Sequence, residues 1–416
     1  MKRYIFALLF LFSFCFAENI DFELNCDSAI LIDAKTGNVL FENNAYKKSY
    51  PASTTKVLTA LVALNNETDY SKKVIPSHYA VYSVPSGSSI AYFSEDEELT
   101  FEQVLYGLML PSGNDAANII AEHISGSIDE FANLMNNYAK ELGAKNTHFV
   151  NANGLHDVNH YTTAYDLSLF AREAMKLEKF REIVSTYHYV MPSTNRSDTN
   201  RDFYNTNKLL VPNGEYFYEN ATGIKTGFTS VAKNCLISSA KKDGVELICV
   251  VLGGLNTPNN KSAVYTDTIN LLNYGFEQYE KYTILNKNSN ISTMSLKYSK
   301  NKVPLTIVND QDIVTNIQKE TTHNFEEAIS YNYDLKVPIK KGDIVGTITY
   351  YENDMCIGSS NLIAANDVEK EFLLFYYFRK IATLLLYVIL CVIILGVCLR
   401  IFNEIRKKIK KSKRLR

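Results

Sequence analysis

Three short motifs stand in order along this chain: Ser53-Thr54-Thr55-Lys56, Ser112-Gly113-Asn114 and Lys225-Thr226-Gly227. Any fold it adopts must gather a helix start, a loop and a strand-like segment from positions spread between 53 and 227. Together the motifs supply a serine nucleophile, a lysine base, a second serine that can relay a proton, and a second lysine suited to a carboxylate. Those are the parts of an acyl-transfer site.

Taken singly the motifs carry little. Ser-x-x-Lys recurs at Ser230–Lys233, Ser238–Lys241, Ser239–Lys242 and Ser299–Lys302, and Lys-Thr-Gly recurs at Lys35–Gly37. Context separates them. Ser53 is followed by Val57, Leu58, Leu61, Val62 and Leu64, an apolar stripe at helical spacing. Pro51 and Ala52 before it suit a helix start. Three residues apart on one helical face, Ser53 and Lys56 come within reach of each other. A helix N-terminus also offers N–H groups to a developing oxyanion. Lys35-Thr36-Gly37 lies between two strand-like runs, Ala29–Asp33 and Val39–Glu42, and is predicted to be a hairpin turn. The later Lys-Thr-Gly lies in a small-residue stretch, 222–229, that lets another backbone approach closely.

The 416 residues suffice for two or three domains. Residues 1–17 read as a cleaved export signal: Lys2 and Arg3, an apolar run, then Ala17. Ile381–Leu399 is 19 residues without a charge, long enough to span a bilayer as a helix. Two cations precede it and nine follow, which places residues 400–416 in the cytoplasm and the bulk of the chain outside. The formal charge of −2 hides this split: residues 18–378 hold 30 basic and 44 acidic residues, a net −14. So acidic an ectodomain argues against a nucleic-acid partner, while the basic tail suits anionic lipid. Four cysteines lie outside the signal and the span, too few for a disulfide scaffold. Cys235 and Cys249, on neighbouring strand-like runs, admit either a bridge or two buried thiols; the latter is favoured.

Helical periodicity dominates from about 68 to 180, with predicted helices at 102–110, 116–124, 128–142 and 165–177. Strand patterns return at 222–229, 235–240 and 245–252, and a closing helix covers 263–279. A sheet built from both ends of the segment, flanked by helices and holding a helical insert, gives an α/β enzyme domain over 18–280. Residues 281–367 read as a small β-rich domain with strands at 303–308, 335–339 and 343–350.

Tyr50-Pro-Ala-Ser-Thr-Thr-Lys56, Leu110-Pro-Ser-Gly-Asn-Asp-Ala-Ala117, Asn153-Gly-Leu155, His160–Leu167 and Gly223-Ile-Lys-Thr-Gly227 closely resemble the low-molecular-weight penicillin-binding proteins, the serine-type D-alanyl-D-alanine carboxypeptidases. The likeness covers the enzyme domain, and the β-rich domain fits the family layout. It implies a β-lactamase/transpeptidase-like fold and two classes of partner: peptidoglycan stem peptides ending in D-Ala-D-Ala, and β-lactams as covalent inhibitors. Ser53 is then the nucleophile, Lys56 the base and Ser112 the proton relay. Asn114, Lys225, Thr226, Gly227 and Phe228 bind substrate, with the N–H groups of Ser53 and Phe228 forming the oxyanion hole. Phe228 stands where some members carry His, and this chain is expected to span the membrane where some members lie on it.

No cofactor and no metal enter that chemistry. His148, His156 and His160 fall close together but without His-Glu-x-x-His, and are expected as surface loop groups. A β-lactamase would want a Glu-x-x-Leu-Asn run between Ser112 and Lys225, and none is there. A D,D-endopeptidase would draw on the same motifs. A non-catalytic wall-binding protein would not need them, and the complete motif set speaks against it.

Overall fold

The computed structural model describes residues 22–414 apart from 257, 258, 260, 320, 333, 334, 353 and 354. The expected export signal, 1–17, lies outside the described residues. The chain forms two compact units. The first runs to Tyr282 and takes in Asn316–Thr322; the second comprises Thr283–Thr315 and the chain from His323 onward.

The first unit is organised on a five-stranded antiparallel sheet. In chain order its strands are β1 (Ser28–Asp33), β2 (Val39–Asn43), β3 (Ala221–Thr229), β4 (Lys233–Lys242) and β5 (Val245–Gly254), arranged β2-β1-β5-β4-β3. The N-terminal hairpin thus pairs with the last strand of the unit. Lys35–Gly37 is the turn of that hairpin, with Gly37 at φ +81°, far in sequence from the second Lys-Thr-Gly on edge strand β3. β5 is a near-continuous apolar run, and β4 is buried from Cys235 through Ala240, because helices cover both faces.

The longer inserted helices are α1 (Lys56–Asn66), α2 (Phe101–Met109), α3 (Asn114–Ser125), α4 (Ile128–Glu141) and α5 (Ala164–Ala174), with shorter ones at His78–Tyr82 and Glu178–Ser185; α6 (Ala263–Gln278) closes the unit. α1 is buried from Lys56 through Leu64, an apolar cylinder at the centre of the core. Side-chain caps define several starts: Thr100 and Gln103 form a capping box on α2, and Ser127 and Thr163 cap α4 and α5.

Cys26, Cys235 and Cys249 are buried free thiols. Cys249 sits opposite Ser238, three residues from Cys235. An odd offset puts the two cysteines on opposite sheet faces, each in a different apolar cluster, so the strand geometry forbids a bridge between them.

The second unit carries another five-stranded antiparallel sheet: β6 (Asn290–Met294), β7 (Leu305–Asn309), β8 (Glu326–Tyr331), β9 (Ile344–Glu352) and β10 (Met355–Ala364), in the order β6-β7-β10-β9-β8. Leu305, Ile307, Ile348 and Leu362 lead its core. The expected strand at 335–339 does not form: only an isolated bridge joins Ile339 to Val368. Pro338 has no N–H to give a ladder, which accounts for this. Beyond the sheet runs a single helix, α7 (Leu373–Arg414). Its 373–407 stretch is long and apolar enough to cross a membrane, and it begins eight residues before the uncharged run.

Candidate active site

Ser53 does not open α1, as the periodicity suggested. It lies in a 3-10 turn, Ala52–Thr55, and the α-helix begins at Lys56. The cause is local: Ala52 is left-handed at φ +48°, and Thr54 donates its hydroxyl to Pro51 O at 2.6 Å. The tighter turn still brings Ser53 Oγ to 3.0 Å from Lys56 Nζ.

Lys56 is completely buried, an ionisable group placed in the core of the unit. Its ammonium has three donors and finds three acceptors: Ser53 Oγ, Asn114 Oδ1 at 2.7 Å and Asn153 O at 2.6 Å. Burial, then the nearby charge of Lys225, hold it well below the usual lysine range, while Asp115 pulls the other way. Once deprotonated, Lys56 keeps two donors for Asn114 and Asn153 and turns its lone pair to Ser53. The fixed acceptors therefore orient that lone pair.

Ser112 occupies the loop between α2 and α3. Its backbone is left-handed at φ +65°, a strained conformation for a residue with a Cβ. Its hydroxyl is buried and has no hydrogen-bond partner among the described residues, an arrangement that a folded core tolerates rarely. Asp115 anchors the loop from below: its buried carboxylate accepts from the N–H groups of Ala91, Phe93 and Ala116. Asn114 N in turn donates to Ser89 O at 2.9 Å. A buried ion pair of Arg201 with Glu97, further bonded by Ser94 N and Thr194 Oγ1, fixes the far end of the same 84–97 stretch.

Lys225 is 1% exposed, and burial lowers it from 10.5 to about 7. Its ammonium reaches Thr226 O at 3.2 Å. Thr226 Oγ1 meets Thr206 Oγ1 at 2.6 Å. Gly227 explains why the motif ends in glycine. A Cβ there would lie 3.0 Å from Pro51 O and from Ser53 N, so only a bare backbone lets β3 approach the Ser53 turn. Gly154, at φ +86°, presses on the Ala52 carbonyl from the other side and leaves a side chain no room. Phe228 is 66% exposed at the rim.

These groups face a cleft of about 480 Å³ lined by Ser53, Ser112, Asn114, Thr226, Gly227 and Phe228. All eight expected site residues gather here, with the two lysines beneath the surface. Sequence reasoning assigned no role to four others. Asn153 contributes a backbone carbonyl, which leaves no side-chain signal; Asn118 Oδ1 and Leu155 N hold its amide. Lys208 is an exposed cation on the cleft wall, over Tyr216 and Tyr265 at 5.8 and 6.0 Å. Asp115 and Thr206 read as ordinary polar residues. His160 also departs from expectation. It is buried, its Nδ1 accepts from Val150 N at 3.2 Å, and its Nε2–H therefore donates to Thr55 Oγ1 at 2.9 Å. Burial pushes it down to about 3, so it is neutral. Among the described residues no group of three or more His, Cys, Asp or Glu could hold a metal ion.

The D-alanyl-D-alanine carboxypeptidase family profile matches residues 16–259, and the C-terminal-domain profile of penicillin-binding protein 5 matches 279–370. The D-alanyl-D-alanine carboxypeptidase DacF of Bacillus subtilis is 35% identical over 350 residues, covering 82% of this chain and 86% of its own. The solved penicillin-binding protein 5 of Haemophilus influenzae is similar with TM-score 0.65 at 27% identity, over 85% of this chain and 100% of that one. A peptidoglycan synthesis regulatory factor (PBP3) from Streptococcus pneumoniae, at 23% identity, TM-score 0.74 and coverage of 84% and 100%, shares the fold. With a transpeptidase-like sheet and insert, a β-rich second unit and more than half its length matched by the first profile, this chain belongs to the D-alanyl-D-alanine carboxypeptidase family of serine peptidases.

Proposed function

We propose that this protein removes the terminal D-alanine from peptidoglycan stem peptides through an acyl-enzyme on Ser53. One observation carries the reading: a wholly buried lysine, Lys56, hydrogen-bonded to that serine at 3.0 Å. Ser53 Oγ gives its proton to neutral Lys56 and bonds to the carbonyl carbon between the two D-alanines. The N–H groups of Ser53 and Phe228 stabilise the oxyanion. The C–N bond then breaks, and the leaving amine receives the proton from Lys56 through Ser112. Water attacks the ester, its proton passes to Lys56, and Ser53 Oγ takes a proton back as the shortened peptide leaves.

The edge strand β3 offers an extended peptide a ladder beside the nucleophile. Thr226 and charged Lys225 then hold the terminal carboxylate, and Asn114 the substrate amide. A β-lactam enters the same chemistry and stays as a stable ester. The protein acts outside the membrane after removal of residues 1–17, held by Ile381–Leu399 with 400–416 in the cytoplasm. The charge asymmetry across the span supports this orientation.

The test is to incubate the full-length protein in detergent with a pentapeptide-bearing muropeptide and weigh the products. Loss of one alanine is expected. Cleavage of cross-linked dimers with pentapeptides left intact would make it an endopeptidase instead.

A further inference from the structure

The second unit contains a cleft of about 570 Å³ where the 295–302 segment meets the first turns of α7. Its polar part is lined by Lys297, Lys302, Arg379 and Lys380, and the lining contains no carboxylate. Arg379 is balanced by Glu371 at 3.0 Å. Among the described residues, Lys297, Lys302 and Lys380 form no ion pair. Two of them lie over tyrosines that share the cleft: Lys297 over Tyr298 at 5.0 Å and Lys380 over Tyr376 at 5.4 Å.

The walls are tied together. Glu371 N donates to Tyr298 O, Lys300 N donates to Glu369 O, and the Lys300–Glu369 ion pair closes at 2.6 Å. The rings of Tyr298 and Tyr376 meet edge-on at 4.8 Å. The lower part changes character: Leu384 and Tyr387 belong to the uncharged run. The cleft is therefore cationic and rich in hydroxyls at one end and apolar at the other, at the depth where a span meets water.

Like charges gathered in one cleft repel unless an anion is shared among them. We propose that this cleft binds the phosphate headgroup of an anionic glycerophospholipid from the outer leaflet. The phosphodiester lies among Lys297, Lys302 and Lys380, the headgroup hydroxyls meet Tyr298 and Tyr376, and one acyl chain runs along Leu384 and Tyr387. This site rests on the reading of Ile381–Leu399 as a span.

The full-length chain is reconstituted in phosphatidylcholine vesicles with and without phosphatidylglycerol. Flotation reports insertion, and native mass spectrometry reports retained lipid. The wild type is expected to float in both and to retain phosphatidylglycerol selectively. A Lys297→Gln/Lys302→Gln/Lys380→Gln variant is expected to float equally and acylate with penicillin at the same rate. Its selective retention should fall by about a hundredfold, at roughly fivefold per cation. Equal retention by the variant overturns the lipid site while leaving the span intact. Failure of the wild type to float overturns the span, and the site with it. Displacement of phosphatidylglycerol by equimolar glycerol phosphate assigns the cleft to a soluble phosphate ester and overturns the lipid assignment.

Discussion

Lysine does opposite work in the two units. In the first, Lys56 and Lys225 are sealed from water and burial drives both toward neutrality. In the second, Lys297, Lys302 and Lys380 line an open cleft beside tyrosines, and a hydrogen bond to Tyr298 pushes Lys297 up. The residue type is the same; depth sets how far each lysine is pushed toward the neutral form, and Lys225 is the case that must carry charge in spite of it. Desolvation favours the neutral form, and a base at neutral pH needs just that.

The comparison breaks first at the nucleophile pair. Ser53→Ala is expected to lose on the order of 10⁴-fold or more in turnover and all covalent labelling by penicillin. Label found on Ser230, Ser238 or Ser299 would move the site. Lys56→Ala should slow acylation by about 10²–10⁴-fold. Lys56→Arg should be no better, because a guanidinium keeps its charge and cannot accept a proton. Rescue by arginine would make the buried cation a structural pin and end the contrast between the units.

Lys225 sharpens the comparison, since it must be buried and still carry charge. Lys225→Ala is expected to cost roughly 10–10³-fold on substrates with a free C-terminus and far less on C-terminal amides. If Lys208→Ala shows that split instead, the carboxylate belongs to the exposed cation on the cleft wall. The pH profile gives the same contrast without mutation. The rate should rise with pH as Lys56 loses its proton and fall above about 7 as Lys225 loses its own. A bound carboxylate favours charged Lys225, so the alkaline limb of kcat should lie above that of kcat/KM.

The smallest effect concerns stability. His160 is held neutral with its folded value at about 3, below 6.5 for the free side chain. The unfolded chain then binds the extra proton, so this contribution is complete above 6.5 and lost as pH falls toward 3. The Tm should drop across that window, and His160→Gln should flatten the slope. An unchanged slope would remove His160 as its source.

Much of the active centre was legible because its parts are side chains with distinctive chemistry in a fixed order. The pieces that stayed hidden are backbone: the Asn153 carbonyl on Lys56, the left-handed Ser112 and the 3-10 turn at Ser53. None of these has a residue type that announces it. That the sheet joins both ends of the segment was legible, and β1 does pair with β5; the full strand order and register were not, since local patterns carry no partner information. In the second unit, β8 reads Glu-Glu-Ala-Ile-Ser-Tyr and is largely exposed, so it lacks the alternation that marks a strand. The apolar 335–339 run looked better and failed on one proline.

The opposed placement of Cys235 and Cys249 has a consequence for where this protein can live. Cys235 is pushed up to about 12, and Cys26 and Cys249 are also raised by burial. Burial thus disfavours the thiolate, the form that oxidants and disulfide catalysts attack. The described core of the enzyme unit is thus held together without a disulfide. Its packing there is expected to be the same with and without a thiol reductant.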